Sequence, residues 1–501
     1  MAALAALFLV VSGARLWIID SIGSLVPYSD QWAVEGWTLF KPFLLGHLDW
    51  SNFFAAHNEH RVLFTRLLAF GLFRANGMWD PRLEMVVNAL IVAGTATLIA
   101  SLALREIGRA WWRLVILMAA VVWSLPYGAQ NTTWGFQSCF YFLLLFSFLA
   151  LWGLSHGAPF TARWWIGLAS AALACLDLAS GLLAGLAVAA MRSLAIALDR
   201  RQWRTHWLTL LAGLACAAMA ILLVHQAPGM IMLRAQGPGF FLEYLMKCLS
   251  WPSNRHYAFL LFQAPFAAVA WGLVREKGSG PGRCFILALG IWWALQAGAL
   301  AYGRAGNGIG ILSRYTDILA LGFLGSFLAL LVEWPPVRFW IRCCWPTPDS
   351  TSERSETFLL QANFWLRFAW AVLAIGGLVH CTDYDRRKTL PQMRRSKIEQ
   401  VRRCRAYVES GDPAVFRNLS DPLDIPLWKP DMLAKYLDDP QVRSTLLFVP
   451  GQEDKGGWPS RISNRLLRNS RALFALGMVG LFAALWPPAE ARGEDKWPPQ
   501  A

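Results

Sequence analysis

EMVVNALIVAGTATLIASLAL, residues 84–104, decides the fold class. A bilayer span needs about 20 predominantly apolar residues, and this run reaches that length with a single charge, at Glu84. Arg105, Arg109 and Arg113 follow it. Apolar blocks of the same kind recur at 2–19, 114–125, 136–154, 164–178, 181–198, 207–224, 257–274, 284–301, 318–331, 358–379 and 471–486. By the length criterion they predict about twelve spans, the pair around Asp177 reading equally as one helical hairpin. The first block lacks a basic start and carries Arg15 late, so it reads as an uncleaved helix and not as a signal peptide.

Composition agrees. The 501 residues are 56% hydrophobic and 16% charged, with mean hydropathy +0.39, whereas soluble domains carry roughly 25% charged residues. The 27 Trp and 30 Phe suit a protein with two membrane interfaces. Disorder, a disulfide scaffold and a fibrous protein are excluded. The net charge of +14 sits largely in short loops, where basic residues set topology and meet lipid headgroups. No basic patch with base-reading spacing occurs, so no nucleic-acid partner is expected. The nine cysteines fall mostly inside apolar blocks, as small hydrophobes. Cys343 and Cys344 are adjacent, and Cys381 and Cys404 share an extramembrane segment in which a bridge is open to them.

Basic loops fix an expected orientation. Arg105, Arg109 and Arg113, then Arg192, Arg200, Arg201 and Arg204, then Arg275, Lys277 and Arg283 alternate onto one face, cytoplasmic by the positive-inside rule. Segments 20–81, 126–136, 225–254 and 302–315 then face the exterior, which for an inner (plasma) membrane protein is the periplasm. The expected class is an all-α polytopic membrane protein with a small exterior α/β or α+β segment near the C-terminus. Its divisions are a helical core over 1–333, a cytoplasmic linker over 334–357, a membrane helix over 358–379, an exterior segment over 380–470, and a last helix with tail over 471–501. The α/β reading rests on mixed charge, turn signals such as Ser410-Gly411-Asp412-Pro413, and short apolar runs such as 445–449; a lid packed on the membrane part is the alternative. The basic stretch 386–405 also falls outside, as long loops translocate largely regardless of charge.

Polar residues concentrate in the exterior loops. In the first, Trp32, Trp37, Leu39, Phe40 and Leu44 form an amphipathic stretch suited to the interface plane; a second stretch runs over 62–73. Asp30 and Glu59 in that loop are candidate catalytic carboxylates. Helix capping by Asp30 and pairing of Glu59 with Arg61 or Arg66 are the plainer alternatives. His57 and His60, at i and i+3, share one face if that stretch is helical, and with Asp30 and Glu59 they offer donors to a divalent cation. Gln130, Asn131, Trp134 and Gln137 mix amides with aromatic rings, a combination that suits a sugar. The glycine-rich loop with Arg304, followed by Arg314 and Tyr315, brings two guanidinium groups to a membrane surface, where they suit a lipid-linked phosphate. Asp177 is either a functional intramembrane carboxylate or a cap on the turn Ser180-Gly181.

This arrangement resembles the GT-C class of membrane glycosyltransferases, which includes protein O-mannosyltransferases and aminoarabinose transferases. Asp30, in Tyr28-Ser29-Asp30-Gln31-Trp32, occupies the position of that class's first-loop acid. Arg314-Tyr315 resembles the Arg-Tyr element that opens a late helix, and His57-Asn58-Glu59-His60-Arg61 resembles clusters in bacterial membrane proteins of this broad kind. The likeness covers topology over residues 1–380. It implies a polyprenyl-phosphate sugar donor, a glycan, lipid or protein acceptor, Asp30 as general base with Glu59 beside it, and phosphate held by Arg304 and Arg314. His57, His60, Arg61, Gln130, Asn131, Trp134, Gln137 and Tyr315 would complete the substrate site. Ser29-Asp30-Gln31 departs from the diacidic element of the class, which bears on whether Mg2+ or Mn2+ takes part. A transporter or flippase for a lipid-linked glycan, or a non-catalytic envelope assembly protein, are the rival readings.

Overall fold

The computed structural model describes residues 1–225, 227–275, 280–307, 310–333, 351–417 and 419–486, with the side chains of 202, 228, 307 and 351–363 excepted. The protein is an all-α multi-pass membrane protein. Among the described residues ten helices are long and apolar enough to cross a membrane, or eleven if the pair Trp458–Arg468 and Ser470–Leu485, bent by 59°, forms one span. All twelve expected blocks are helical. The count falls because Ala162–Cys175 has 14 residues, short of the ~20 that a bilayer demands, and because Ser470–Leu485 reaches span length only with its bent neighbour.

Small residues let these helices approach closely, as expected where lipid removes the hydrophobic drive between them. A Cβ at Gly13 would lie 2.5 Å from the Phe474 backbone, and one at Gly477 would lie 2.5 Å from that of Val10. The first and last helices therefore pack backbone to backbone, closing the bundle. Ser326 Oγ donates to Phe262 O at 2.6 Å and accepts from Trp370 Nε1 at 3.1 Å, joining three further helices.

Two ends are distinct. At one, Glu106 binds His156 at 3.1 Å and Arg163 at 2.9 Å, and Arg283 binds Glu333 at 2.7 Å. Arg192 there donates to Leu154 O and Gly157 O. The expected basic loops thus do gather on one end. At the other end meet the first loop and segments 125–137, 176–181, 304–307, 310–315, 380–417 and 419–470.

No strand forms among the described residues, which corrects the α/β or α+β expectation for 380–470. That segment is helical at Leu390–Ser410, Pro430–Asp438 and Trp458–Arg468. The run 445–449 makes an isolated bridge between Leu446 and Trp79 because its apolar side chains pair with the first loop and not with another strand. Leu446, Phe448 and Val449 share one core with Trp32, Phe40, Phe73 and Trp79. Trp32 stacks on Tyr436 at 6.3 Å, Ser29 N–H donates to Pro426 O at 2.6 Å, and Lys41 binds Asp439 at 2.5 Å. The first loop and the C-terminal segment are one cap. Trp32, Leu39 and Phe40 are accordingly buried inside it and do not lie in the membrane interface. Cys381 and Cys404 are both free: Cys404 is buried in the cap core while Cys381 packs on Pro252 O. Cys343, Cys344 and most of the linker 334–357 lie outside the described residues.

Candidate functional site

The site is built on a tight turn. His57 and His60 exchange both backbone hydrogen bonds, each 2.9 Å, so 57–60 is a hairpin and not the helix that the i, i+3 spacing suggested. Asn58 sits at φ 49°, Ser29 at 50° and Val62 at 49°. Left-handed backbone at non-glycine residues costs roughly 1–3 kcal/mol each and clusters at functional sites. Three such residues flank the two candidate carboxylates. The turn is anchored from below, where the Asp177 carbonyl accepts from the N–H groups of Arg61 and Val62.

Glu59 binds Arg304 at 3.3 Å, in place of the sequence-local pairing with Arg61 or Arg66. Arg304 Nε donates to Tyr315 Oη at 2.8 Å. Burial pushes the Glu59 carboxyl upward, but His60, its own backbone N–H and Arg304 together outweigh that and hold it below its usual value. Its Oε2 is buried without a hydrogen-bond partner among the described residues. Asp30 Oδ1 lies 3.6 Å from His57 Nε2, beyond hydrogen-bond range, and its side chain is 35% exposed. Asp30 makes no cap to the helix that follows. It faces the site with free lone pairs.

His60 is different. Its Nδ1 accepts from the Ala179 N–H at 3.1 Å, so the ring is neutral with its proton on Nε2. Burial pushes it from the usual 6.5 down to about 4, against the opposing pull of Glu59. His60 is so engaged and Glu59 is paired to Arg304, contacts with which a divalent cation would compete. Among the described residues no group of three or more His, Cys, Asp or Glu is placed to hold one. The His60 shift carries a pH expectation. The unfolded chain takes its proton near 6.5 and the folded one near 4. The stability of this turn is therefore complete above 6.5 and lost as pH falls from there toward 4. Protection of the Ala179 amide from hydrogen exchange should drop through that window, and His60→Gln, which keeps an acceptor but does not titrate, should abolish the dependence. Constant protection between pH 7 and 5 in the parent protein would rule it out.

The second and third loops interlock. Gln130 Oε1 accepts from Arg314 N–H at 3.2 Å, and Asn131 Nδ2 donates to Arg314 O at 2.9 Å and to Asp317 Oδ2 at 2.7 Å. Asn131 is fully buried and positions the Arg314 turn; it is not open to a sugar. The Arg314 guanidinium stacks over Tyr315, its carbon 5.2 Å from the ring centre, and makes no side-chain hydrogen bond among the described residues. Trp134 meets Tyr28 edge-on at 5.1 Å, and Phe136 meets His57 at 5.5 Å. Gln137 is buried, and its Oε1 has no hydrogen-bond partner among the described residues. Arg61 turns away, donating to Phe54 O and Leu223 O at 3.1 Å each, which makes it a strut. Asp177 caps nothing: both its carboxyl oxygens are buried without hydrogen-bond partners among the described residues, and burial raises its pKa.

Several residues escaped sequence reasoning. Gln31 Nε2 bridges Glu35 at 3.0 Å and Glu84 at 2.8 Å, and Trp79 Nε1 reaches both at 3.2 Å. Burial pushes the Glu35 carboxyl up, and with Glu84 beside it the pair favours holding a proton between them. Arg15 and Asp317, both fully buried, pair at 2.9 Å. Lys397 Nζ sits 3.9 Å from the centre of the Tyr28 ring. Charges inside apolar runs mark Arg15 and Asp317 from sequence alone; nothing marks Lys397. No family model matches the chain, and no curated protein matches it. Function is therefore read from these side chains.

Proposed function

We propose that the protein is a GT-C-like membrane glycosyltransferase. It moves a sugar from a polyprenyl-phosphate donor to a glycan, lipid or protein acceptor at the exterior, periplasmic face of the inner membrane. The observation that carries this reading is the meeting of Asp30 and His57 with Glu59 and Arg304, beside an unpaired Arg314, at the end of the bundle away from the basic loops. Asp30 takes the proton of the acceptor hydroxyl. The acceptor oxygen attacks the anomeric carbon as the carbon–oxygen bond to phosphate breaks, with inversion. The leaving polyprenyl phosphate keeps that electron pair and is held first by Arg314, the guanidinium without a side-chain partner. Arg304 joins by exchanging part of its hold on Glu59.

The test presents a panel of polyprenyl-phosphate hexoses to the full chain in nanodiscs and follows release of polyprenyl phosphate. The expected result is acceptor-dependent cleavage of at least one donor. Arg314→Met should raise the donor KM by about ten- to a hundredfold, the worth of a charge-assisted contact. Movement of donor across a vesicle bilayer with its glycosidic bond intact would replace this reading with a transporter.

A further inference from the structure

The helix Leu390–Ser410 has a strongly basic sequence, yet its one lysine is inside. Lys397 is 7% exposed, and its Nζ has no hydrogen-bond partner among the described residues. The Tyr28 ring face beneath it, at 3.9 Å, can satisfy only one of three ammonium N–H groups. Burying a cation so poorly satisfied costs several kcal/mol, and burial pulls the Lys397 pKa from the usual 10.5 down to about 7; an anion beside it restores the charge.

A cavity lies at this point. It has a volume of about 50 Å³, and its lining includes Tyr28, Gln130, Trp134, Ser396, Lys397 and Gln400. Four buried polar atoms on this lining lack partners among the described residues: Trp134 Nε1, Ser396 Oγ, Lys397 Nζ and Gln400 Oε1. Gln400 Nε2 already donates to Leu423 O at 2.6 Å, which fixes its oxygen as the free end. The lining therefore offers three donors, one of them cationic, and one acceptor. A water-sized atom needs roughly 10–15 Å³, so about four fit.

From this we infer that the cavity between the helix Leu390–Ser410 and segment 125–137 is a binding site for a phosphate group, free or as the terminal monoester of a larger molecule. The donors match phosphate oxygens, and the Gln400 acceptor matches the O–H that inorganic phosphate keeps at neutral pH and that a monoester carries as its monoanion. Sulfate, which has the same shape but no proton at neutral pH, leaves Gln400 Oε1 unpaired. The site thus selects phosphate over sulfate, and the inference stands whether or not the transfer reading does.

The experiment is equilibrium binding to the full chain in nanodiscs, in two arms. One uses inorganic phosphate with sulfate as competitor, in phosphatidylcholine discs; the other uses discs containing phosphatidic acid and no free phosphate. Saturable binding in the first arm identifies a soluble ligand, and saturable binding that appears only in the second identifies a lipid monoester. In either case Lys397→Met, which fills the same space without charge, should weaken binding by roughly ten- to a hundredfold. Gln400→Leu should bring phosphate and sulfate to near-equal affinity. It also serves as the deciding variant if Lys397→Met fails to fold. An absence of saturable binding in both arms, or binding that neither substitution alters, would mean that the cavity holds only water and would overturn the inference.

Discussion

Replacing Asp30 with asparagine is expected to lower sugar transfer by roughly a hundredfold to ten-thousandfold, the range a positioned general base supplies, while donor affinity changes by less than about threefold. The two side chains have the same shape, and Asp30 makes no cap or ion pair closer than the 3.6 Å approach of His57. Its loop is held instead through Ser29 N–H on Pro426 O and through Trp32 in the cap core. Asparagine should therefore leave the fold untouched and remove only the basic oxygen. Glu59→Gln should behave differently. It breaks the 3.3 Å contact with Arg304, frees that guanidinium, and should alter donor affinity as much as turnover. A donor KM and kcat measured for both variants separates the two roles. If Asp30→Asn turns over at the parent rate, Asp30 is not the base.

The reach of sequence reasoning here follows from what the bilayer enforces. A span must be a long apolar run, because unpaired backbone groups are intolerable in hydrocarbon; every predicted block is accordingly a helix. Alternation of spans then places Asp30, His57, Glu59, Arg304 and Arg314 at one end on sequence grounds alone. Outside the bilayer no such rule holds. The 57–60 turn was invisible because it places Asn58 in the left-handed region without a glycine to announce it; asparagine is one of the few residues that tolerates that region. The C-terminal segment looked like a mixed module because run 445–449 reads as a strand. Its true partners are Trp32, Phe40 and Trp79, hundreds of positions upstream. Lys397 was hidden among Arg394, Arg395, Arg402 and Arg403, since burial of one basic residue in a basic helix leaves no local trace.

Removing Asp317 should be more damaging than removing Arg15, and removing both should be milder than either. Arg15 donates to Trp123 O at 3.0 Å, to Thr132 Oγ1 at 2.7 Å and to Asp317 Oδ1 at 2.9 Å, and both charged side chains are fully buried. Stripping one partner from such a pair typically costs 3–5 kcal/mol, because the other charge is left uncompensated. The two residual charges are not equivalent. A lone carboxyl can take a proton and become neutral, whereas a guanidinium cannot lose one at accessible pH. Asp317→Leu should thus cost about 3–5 kcal/mol of stability, Arg15→Met distinctly less, and the double variant should return close to the parent, since an apolar pair of similar volume replaces a buried ion pair at little cost. Unfolding of the three variants in mixed micelles measures this directly as a double-mutant cycle. Additive losses would mean that the pair is not coupled. Activity reads a second consequence: Asp317 also holds Asn131, which holds the Arg314 carbonyl. The double variant should therefore recover its stability but not its donor affinity, because the Arg314 turn has lost the anchor that aims it.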